Sequence, residues 1–196
     1  MIRAVVFDLF ETLVTESGLE ALGPSTAGEL GMAPLAYREA WRSWKHRRHT
    51  APVDARDVWA EISGLGRGDP VLDRLHASRQ RRKDAPLAAV EPAVMSMLRE
   101  LRDRRFLVLV LSNCAVEDVA GWSSSSLSSL VDDVIFSWQV GLVKPDVRIY
   151  ELAATRLGLT ADECLFVGRW RKWRAPRGGG CGDGCVARSV VPGAVA

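Results

Sequence analysis

The segment Val5-Val6-Phe7-Asp8-Leu9-Phe10-Glu11-Thr12-Leu13 places a carboxylate at the end of a short β-branched and aromatic run. Arg3–Phe7 reads as a buried strand, with Asp8 the first charged group beyond it. After residue 86 the pattern returns. Phe106–Leu111 (FLVLVL) is a continuous apolar run, as expected of a strand covered on both faces, and Ser112-Asn113 follow it directly. Val134–Phe136 and Cys164–Val167 read as two more short strands, the last followed by Gly168. Helices are expected at Pro92–Arg104 (apolar positions Val94, Met97, Leu98 and Leu101), through Val116–Gly121, and from Asp146 to Leu157, with a serine-rich loop at 123–129. Strands alternating with helices predict an α/β fold built on a mostly parallel, doubly wound sheet. Ligands of such sheets bind beyond the carboxyl ends of the strands. Asp8, Ser112, Asn113 and Gly168 fall on that rim, and Lys144 stands in a loop after the third strand, before a helix.

Between the first two strands the character changes. From about Thr15 to Ala85 no strand signal occurs; Tyr37–Arg48 and Asp54–Ile62 have helical spacing, and Asp69-Pro70 opens another helix. The expected organisation is a core formed by residues 1–14 and 86–168, an inserted all-helical unit at 15–85, and a separate tail at 169–196.

The 196 residues are 47% hydrophobic and 26% charged, enough apolar material for a core, so wholesale disorder is excluded. No apolar run is long enough to span a membrane, and none at the N-terminus is long enough for a signal peptide. Four cysteines without ordered spacing argue against a disulfide framework and for a reducing cytoplasm. Residues 1–168 carry 20 Lys and Arg against 23 Asp and Glu, whereas the tail carries six against one. A mildly acidic body gives no reason to expect nucleic acid or a membrane surface as partner. The expected partner is a small molecule; the oligomeric state is left open.

A carboxylate at a strand end, faced by a lysine and a hydroxyl, suits nucleophilic catalysis through a covalent ester that water later cleaves. These residues resemble the haloacid dehalogenase superfamily. The likeness runs through Val5–Leu13, Leu111-Ser112-Asn113 and Gly141-Leu142-Val143-Lys144-Pro145-Asp146, and begins a fourth motif at Leu165-Phe166-Val167-Gly168. It implies a Rossmann-like core with a helical cap that shuts the site. Asp8 is then the nucleophile and Lys144 its neutralising partner. Thr12 supports the loop, Ser112 binds the substrate's anionic group, and Asn113 lines the same pocket. The implied activity is hydrolysis of a small anionic metabolite, first of all a phosphomonoester, with Mg²⁺ held in part by Asp8.

Two departures from the family's pattern matter. Phosphatases of this family have a second Asp two residues after the nucleophile, where this chain has Phe10. The dehalogenase branch tolerates a non-acid there, needs no metal, and has a tyrosine six residues after the lysine, as Tyr150 is here. A 2-haloacid dehalogenase is therefore the alternative. After Gly168 the family expects Asp and a glycine-rich acidic loop, but the chain continues Arg169-Trp-Arg-Lys-Trp-Arg. Back-translation with a one-base shift permits a family-like glycine- and acid-containing run, so the tail is read as an out-of-frame ending. A catalytically dead remnant is the further alternative that the missing acids motivate.

Blander readings go to the remaining candidates. Arg38, Arg42, Lys45, Arg47 and Arg48 could meet a substrate anion from the helical unit, but most of them are expected to form a solvated helix face. Trp41, Trp44 and Trp59 are expected to pack the helical unit, Cys114 to be buried filler, and His46, His49 and His76 to bind no metal.

Overall fold

The computed structural model describes residues 1–15 and 25–168. Four strands, β1 (Ala4–Phe7), β2 (Leu107–Ser112), β3 (Asp133–Phe136) and β4 (Cys164–Val167), form one parallel sheet in the order β3-β2-β1-β4. The chain builds outward from β1 through β2 to β3, then crosses back to lay β4 on the other side of β1. The order therefore reverses at β1, and a crevice opens at such a switch point.

Strand composition follows from burial on both faces. Val5, Phe7, Val108 and Val110 pack on one side with Leu98 of helix α6 (Pro92–Asp103). Ala4, Val6, Leu109 and Leu111 pack on the other, with Ile149, Tyr150 and Ala153 from Val147–Arg156. Alternate residues thus serve opposite layers. Truncating a fully buried leucine here, such as Leu109, would cost about 2–5 kcal/mol.

Helices α1 (Thr26–Glu29), α2 (Pro34–Ser43), α3 (Lys45–Thr50), α4 (Ala55–Ser63) and α5 (Pro70–Ala88) lie between β1 and β2. Ser25, Asp54 and Asp69 cap α1, α4 and α5 by accepting backbone N–H bonds from Gly28, Arg56 and Val71. These helices gather a third apolar cluster around Leu30, Ala55, Trp59, Leu72 and Leu75, sharing no residue with the two sheet layers. Trp41 stacks on Trp59 with ring centroids 5.5 Å apart, so two of the three tryptophans pack the helical unit. The third, Trp44, lies under the guanidinium of Arg47.

The structure departs from the sequence expectations in three places. Helix α5 runs through residues 85–86 without a break, because Leu87 in its last turn is buried in the sheet cluster and Pro86 is carried within the helix. The helix expected at Val116–Gly121 is a 3₁₀ turn at Val116–Asp118, followed by two more at Trp122–Ser124 and Ser126–Ser129. Ser125 ties this path to the end of α5 by donating to the Leu87 carbonyl at 2.6 Å, and it accepts the Leu127 N–H at 3.3 Å, a local bond that competes with helix formation. Met97 is 37% exposed rather than part of the apolar face. Two helices complete the described chain, α7 (Ser137–Val140) and α8 (Val147–Arg156), the latter capped by Asp146.

Candidate active site

Strand register assembles the rim. Phe7 is paired with Val110 on one side and with Val167 on the other. Asp8, Leu111 and Gly168, the next residues of each strand or strand end, therefore meet at one level. The backbone N–H of Asp8 donates to the Val167 carbonyl at 2.8 Å, prolonging the ladder by one bond. A Cβ placed on Gly168 would come within 2.8 Å of the Asp8 Cβ, so only glycine fits beside this carboxylate.

Lys144 reaches Asp8 from the loop before α8. Its Nζ lies 2.7 Å from Asp8 Oδ1 and donates to the Leu111 carbonyl at 2.7 Å. Burial pulls this ammonium below the ordinary lysine range, against the opposing pull of Asp8. The Leu9 N–H also donates to Asp8 Oδ1, at 2.8 Å. Among the described residues no donor is directed at Oδ2. One carboxylate oxygen is therefore held and the other carries no hydrogen bond among the described residues.

Each neighbouring loop is fixed in turn. Asn113 uses both ends of its amide on the Lys144 peptide, Nδ2 donating to the Lys144 carbonyl at 2.9 Å and Oδ1 accepting the Lys144 N–H at 2.8 Å. Expected to line the pocket, Asn113 does line the adjoining cleft, but its amide anchors the lysine loop. Ser137, which sequence reading missed, accepts the Cys114 N–H at 3.0 Å and donates to the Cys114 carbonyl at 3.2 Å. Its place at the first residue after β3 was the available signal. Cys114 itself is fully buried, and burial pushes its thiol up to about 12.

Ser112 Oγ and Thr12 Oγ1 are both buried without a hydrogen bond among the described residues. Ser112 closes β2 opposite Phe136. Thr12 belongs to the tight turn after Asp8, where Leu13 and Val14 donate to the Leu9 carbonyl at 2.9 and 3.1 Å and Glu11 adopts a left-handed φ of 59°. These two orphan hydroxyls, one in the turn after Asp8 and one next in sequence to Leu111, are unmet hydrogen-bonding capacity of the sort a bound polar group fills. Tyr150 is buried on the layer below, edge-on to Phe166 at 4.9 Å; burial, then the nearby charge of Asp8, raises its phenol's pKa.

Adjoining the rim at Phe10 and Asn113, without Asp8 or Lys144 in its lining, is a cleft of about 470 Å³ between the helical segment and the sheet. Phe10 and Asn113 bound it on the sheet side, and Trp41, Arg48, His49 and Arg79 on the helical side. Arg38, Arg42 and Lys45 also line it and, like Arg47, are exposed, as expected of a solvated face; Arg48 is the exception. Arg48 is 4% exposed, stacked 3.8 Å over Trp41 and 3.6 Å from Glu117. Arg79 donates to Glu117 at 3.1 Å and Asp118 at 2.6 Å, and Lys83 lies 3.4 Å from Asp118 and 5.1 Å over the Phe10 ring. This network ties α3 and α5 to the turn that follows Ser112-Asn113. It was missed in the sequence, where Glu117-Asp118 read as ordinary helix residues.

This geometry coincides with a family-wide likeness. The model of the haloacid dehalogenase-like hydrolases matches residues 2–168. The chain belongs to that family. An (S)-2-haloacid dehalogenase of Burkholderia cepacia is 26% identical over 178 residues, covering 85% of this chain and 74% of that one. A phosphatase of Mycobacterium tuberculosis is 31% identical over 176 residues, covering 88% and 81%. The solved structure of a family enzyme from Bacteroides thetaiotaomicron, in complex with magnesium and inorganic phosphate, has a TM-score of 0.58 at 14% identity and covers 85% of this chain and 84% of that one. Homologues of this haloacid dehalogenase-like hydrolase thus include both dehalogenases and phosphatases.

Magnesium is the cofactor that the phosphatase branch implies. Among the described residues no three His, Cys, Asp or Glu side chains converge on a metal position. Asp8 is the carboxylate at the rim, and it is already joined to an ammonium. The described residues therefore do not form a metal cage. The acidic fourth motif expected by the family would fall at 169–196, outside the described residues, as would the out-of-frame reading of that tail. No described helix is long and apolar enough to cross a membrane.

Proposed function

We propose that this hydrolase cleaves a small phosphomonoester through an ester on Asp8. The observation that carries the reading is the asymmetry of that carboxylate: Oδ1 is held by Lys144 and the Leu9 N–H, while Oδ2 faces no donor among the described residues. Oδ2 attacks phosphorus, the P–O bond to the alcohol breaks, and the leaving oxygen takes a proton from solvent. Water then attacks the phosphorus of the aspartyl phosphate, releasing phosphate and restoring the carboxylate. Lys144 offsets the charge gathering on the transferred group. The orphan hydroxyls of Ser112 and Thr12 are the donors available to its oxygens. Helices α1–α5, residues 26–88, act as the cap that limits water at the site. Two free buried cysteines, Cys114 and Cys164, suit a reducing cytoplasm.

A second reading is favoured by Phe10 and Tyr150. With no acid at position 10 to protonate an alcohol, a halide leaving group is the easier one, since it needs no proton. Oδ2 would then attack C2 of a 2-haloacid, expel halide, and form a carbon ester that water hydrolyses to the 2-hydroxyacid. Parallel assays decide. Phosphate release from p-nitrophenyl phosphate, with and without Mg²⁺, is compared with halide release from 2-chloropropionate. Turnover lost in Asp8→Asn is expected in one arm. Turnover in neither arm overturns both readings and leaves the inert remnant.

A further inference from the structure

The cleft that meets the rim at Phe10, two residues after Asp8, and at Asn113, which holds the Lys144 peptide, is larger and more cationic than a single phosphate requires. Six cations line it, Arg38, Arg42, Lys45, Arg48, Arg79 and Lys83, against one acid, Asp118. Half of them are engaged: Arg48, Arg79 and Lys83 share Glu117 and Asp118. Arg38, Arg42 and Lys45 make no ion pair among the described residues and are exposed at the cleft wall. Their spacing of four and three residues sets them on one side of the α2–α3 segment. A second, independent feature lies deeper. Arg48 is 4% exposed against Trp41, and although its Nη1 lies 3.6 Å from Glu117, neither Nε nor Nη1 makes a hydrogen bond among the described residues. A buried guanidinium with unfilled donors is costly unless something completes it.

We infer that this wall is a second anion subsite, and that the substrate is a phosphate ester carrying another anionic group, a carboxylate or phosphate, on a short carbon chain. The inference rests on the proposed Asp8 chemistry for its reacting end. The reacting phosphate lies at the Asp8–Lys144 rim beside Phe10 and Asn113, and the distal anion at Arg42 and Lys45. A cleft of about 470 Å³ lies within the range for a whole small metabolite. The excess of cations selects for charge at both ends, because a neutral tail would leave these groups without a counter-charge.

Three probes separate the possibilities: glycerol 3-phosphate has a neutral end, 3-phosphoglycerate a carboxylate on the same skeleton, and propane-1,3-diol bisphosphate a second phosphate. Expected is a kcat/KM at least about tenfold higher for one anionic-ended ester than for glycerol 3-phosphate, expressed mainly in KM. The double variant Arg42→Ala/Lys45→Ala removes that advantage. Arg47→Ala deletes a charge from the same helix away from the cleft and retains it. Equal values for all three esters, or an Arg47→Ala loss as large as that of the double variant, overturn the subsite in favour of general electrostatic attraction. If no ester is turned over, the Asp8 reading fails, and calorimetric titration of the full chain with the three compounds still judges the subsite. Tighter binding of an anionic-ended compound, lost in the double variant, supports it; equal binding overturns it.

Discussion

Lys144 Nζ stands 2.7 Å from Asp8 Oδ1 and 2.7 Å from the Leu111 carbonyl oxygen, so one buried ammonium joins the ends of β1 and β2. Replacing it with methionine keeps the aliphatic stem and removes the charge. The expected loss in kcat is about 10²–10³-fold, the scale of losing one preorganised electrostatic contact. Lys144→Arg should not rescue it, since a planar fork cannot satisfy two acceptors arranged for a point charge. Steady-state kinetics with an unchanged circular dichroism spectrum check this; rescue by arginine would show that charge alone suffices.

The same lysine sets an alkaline limit. Its protonated form holds Asp8, and burial lowers its pKa from 10.5. The contribution is therefore complete at low pH and disappears as pH rises through a value below 10.5. The alkaline limb of the kcat/KM profile should fall earlier than an ordinary lysine would allow. A flat profile up to pH 10.5 would contradict this assignment.

Gly168 makes a prediction about shape rather than charge. A methyl group there meets the Asp8 Cβ at 2.8 Å, and neither partner is the far end of a flexible chain. The carboxylate must shift, and a displacement of even 1 Å at a reacting group typically costs about 10²-fold. Gly168→Ala should lose activity of that order while the fold persists. Activity within twofold of the parent would mean that the Asp8 position is not demanding.

The fold was legible for a plain reason: every core strand is a short apolar run ending in a polar or glycine residue. Parallel register then brings Asp8, Leu111 and Gly168 together without further information. What stayed hidden depended on partners far apart in sequence. Asn113 looked like pocket lining because nothing local shows that its amide matches the Lys144 peptide, 31 residues on. Arg48 looked solvated because its charge pattern is that of an exposed helix. Only tertiary packing under Trp41 and against Glu117 buries it. The α5 boundary was misplaced because Pro86 normally ends a helix, and burial of Leu87 outweighs that tendency.

Arg79 is the centre of the ionic bridge between α5 and the turn after β2, donating to Glu117 at 3.1 Å and to Asp118 at 2.6 Å. Both acids are almost fully buried. Arg79→Met would leave them with fewer cations, and breaking a buried ion pair from one side costs about 3–5 kcal/mol. For a chain of this size that is a fall in Tm of about 6–20 °C. Calorimetry checks it; a fall of under 2 °C would show that Arg48 and Lys83 take over.

His49 gives the acid side of stability. Its ring is half-buried in α3, with Lys45, Arg48 and Arg79 opposing a second positive charge and Asp118 favouring it. Burial, the largest effect, together with these cations lowers it from 6.5 to about 4. Between those values the unfolded chain binds a proton that the folded chain refuses. The contribution is therefore whole above pH 6.5, shrinks as pH falls through the window, and changes no further below about 4. Solvent screening of a partly exposed ring reduces its size to about 1–2 kcal/mol. Urea denaturation at pH 7 and at pH 4.5 should show His49→Gln losing less stability than the parent by that amount. Carboxylate protonation affects both proteins alike and cancels in the comparison. Equal losses would place the ring in contact with water rather than in the cleft wall.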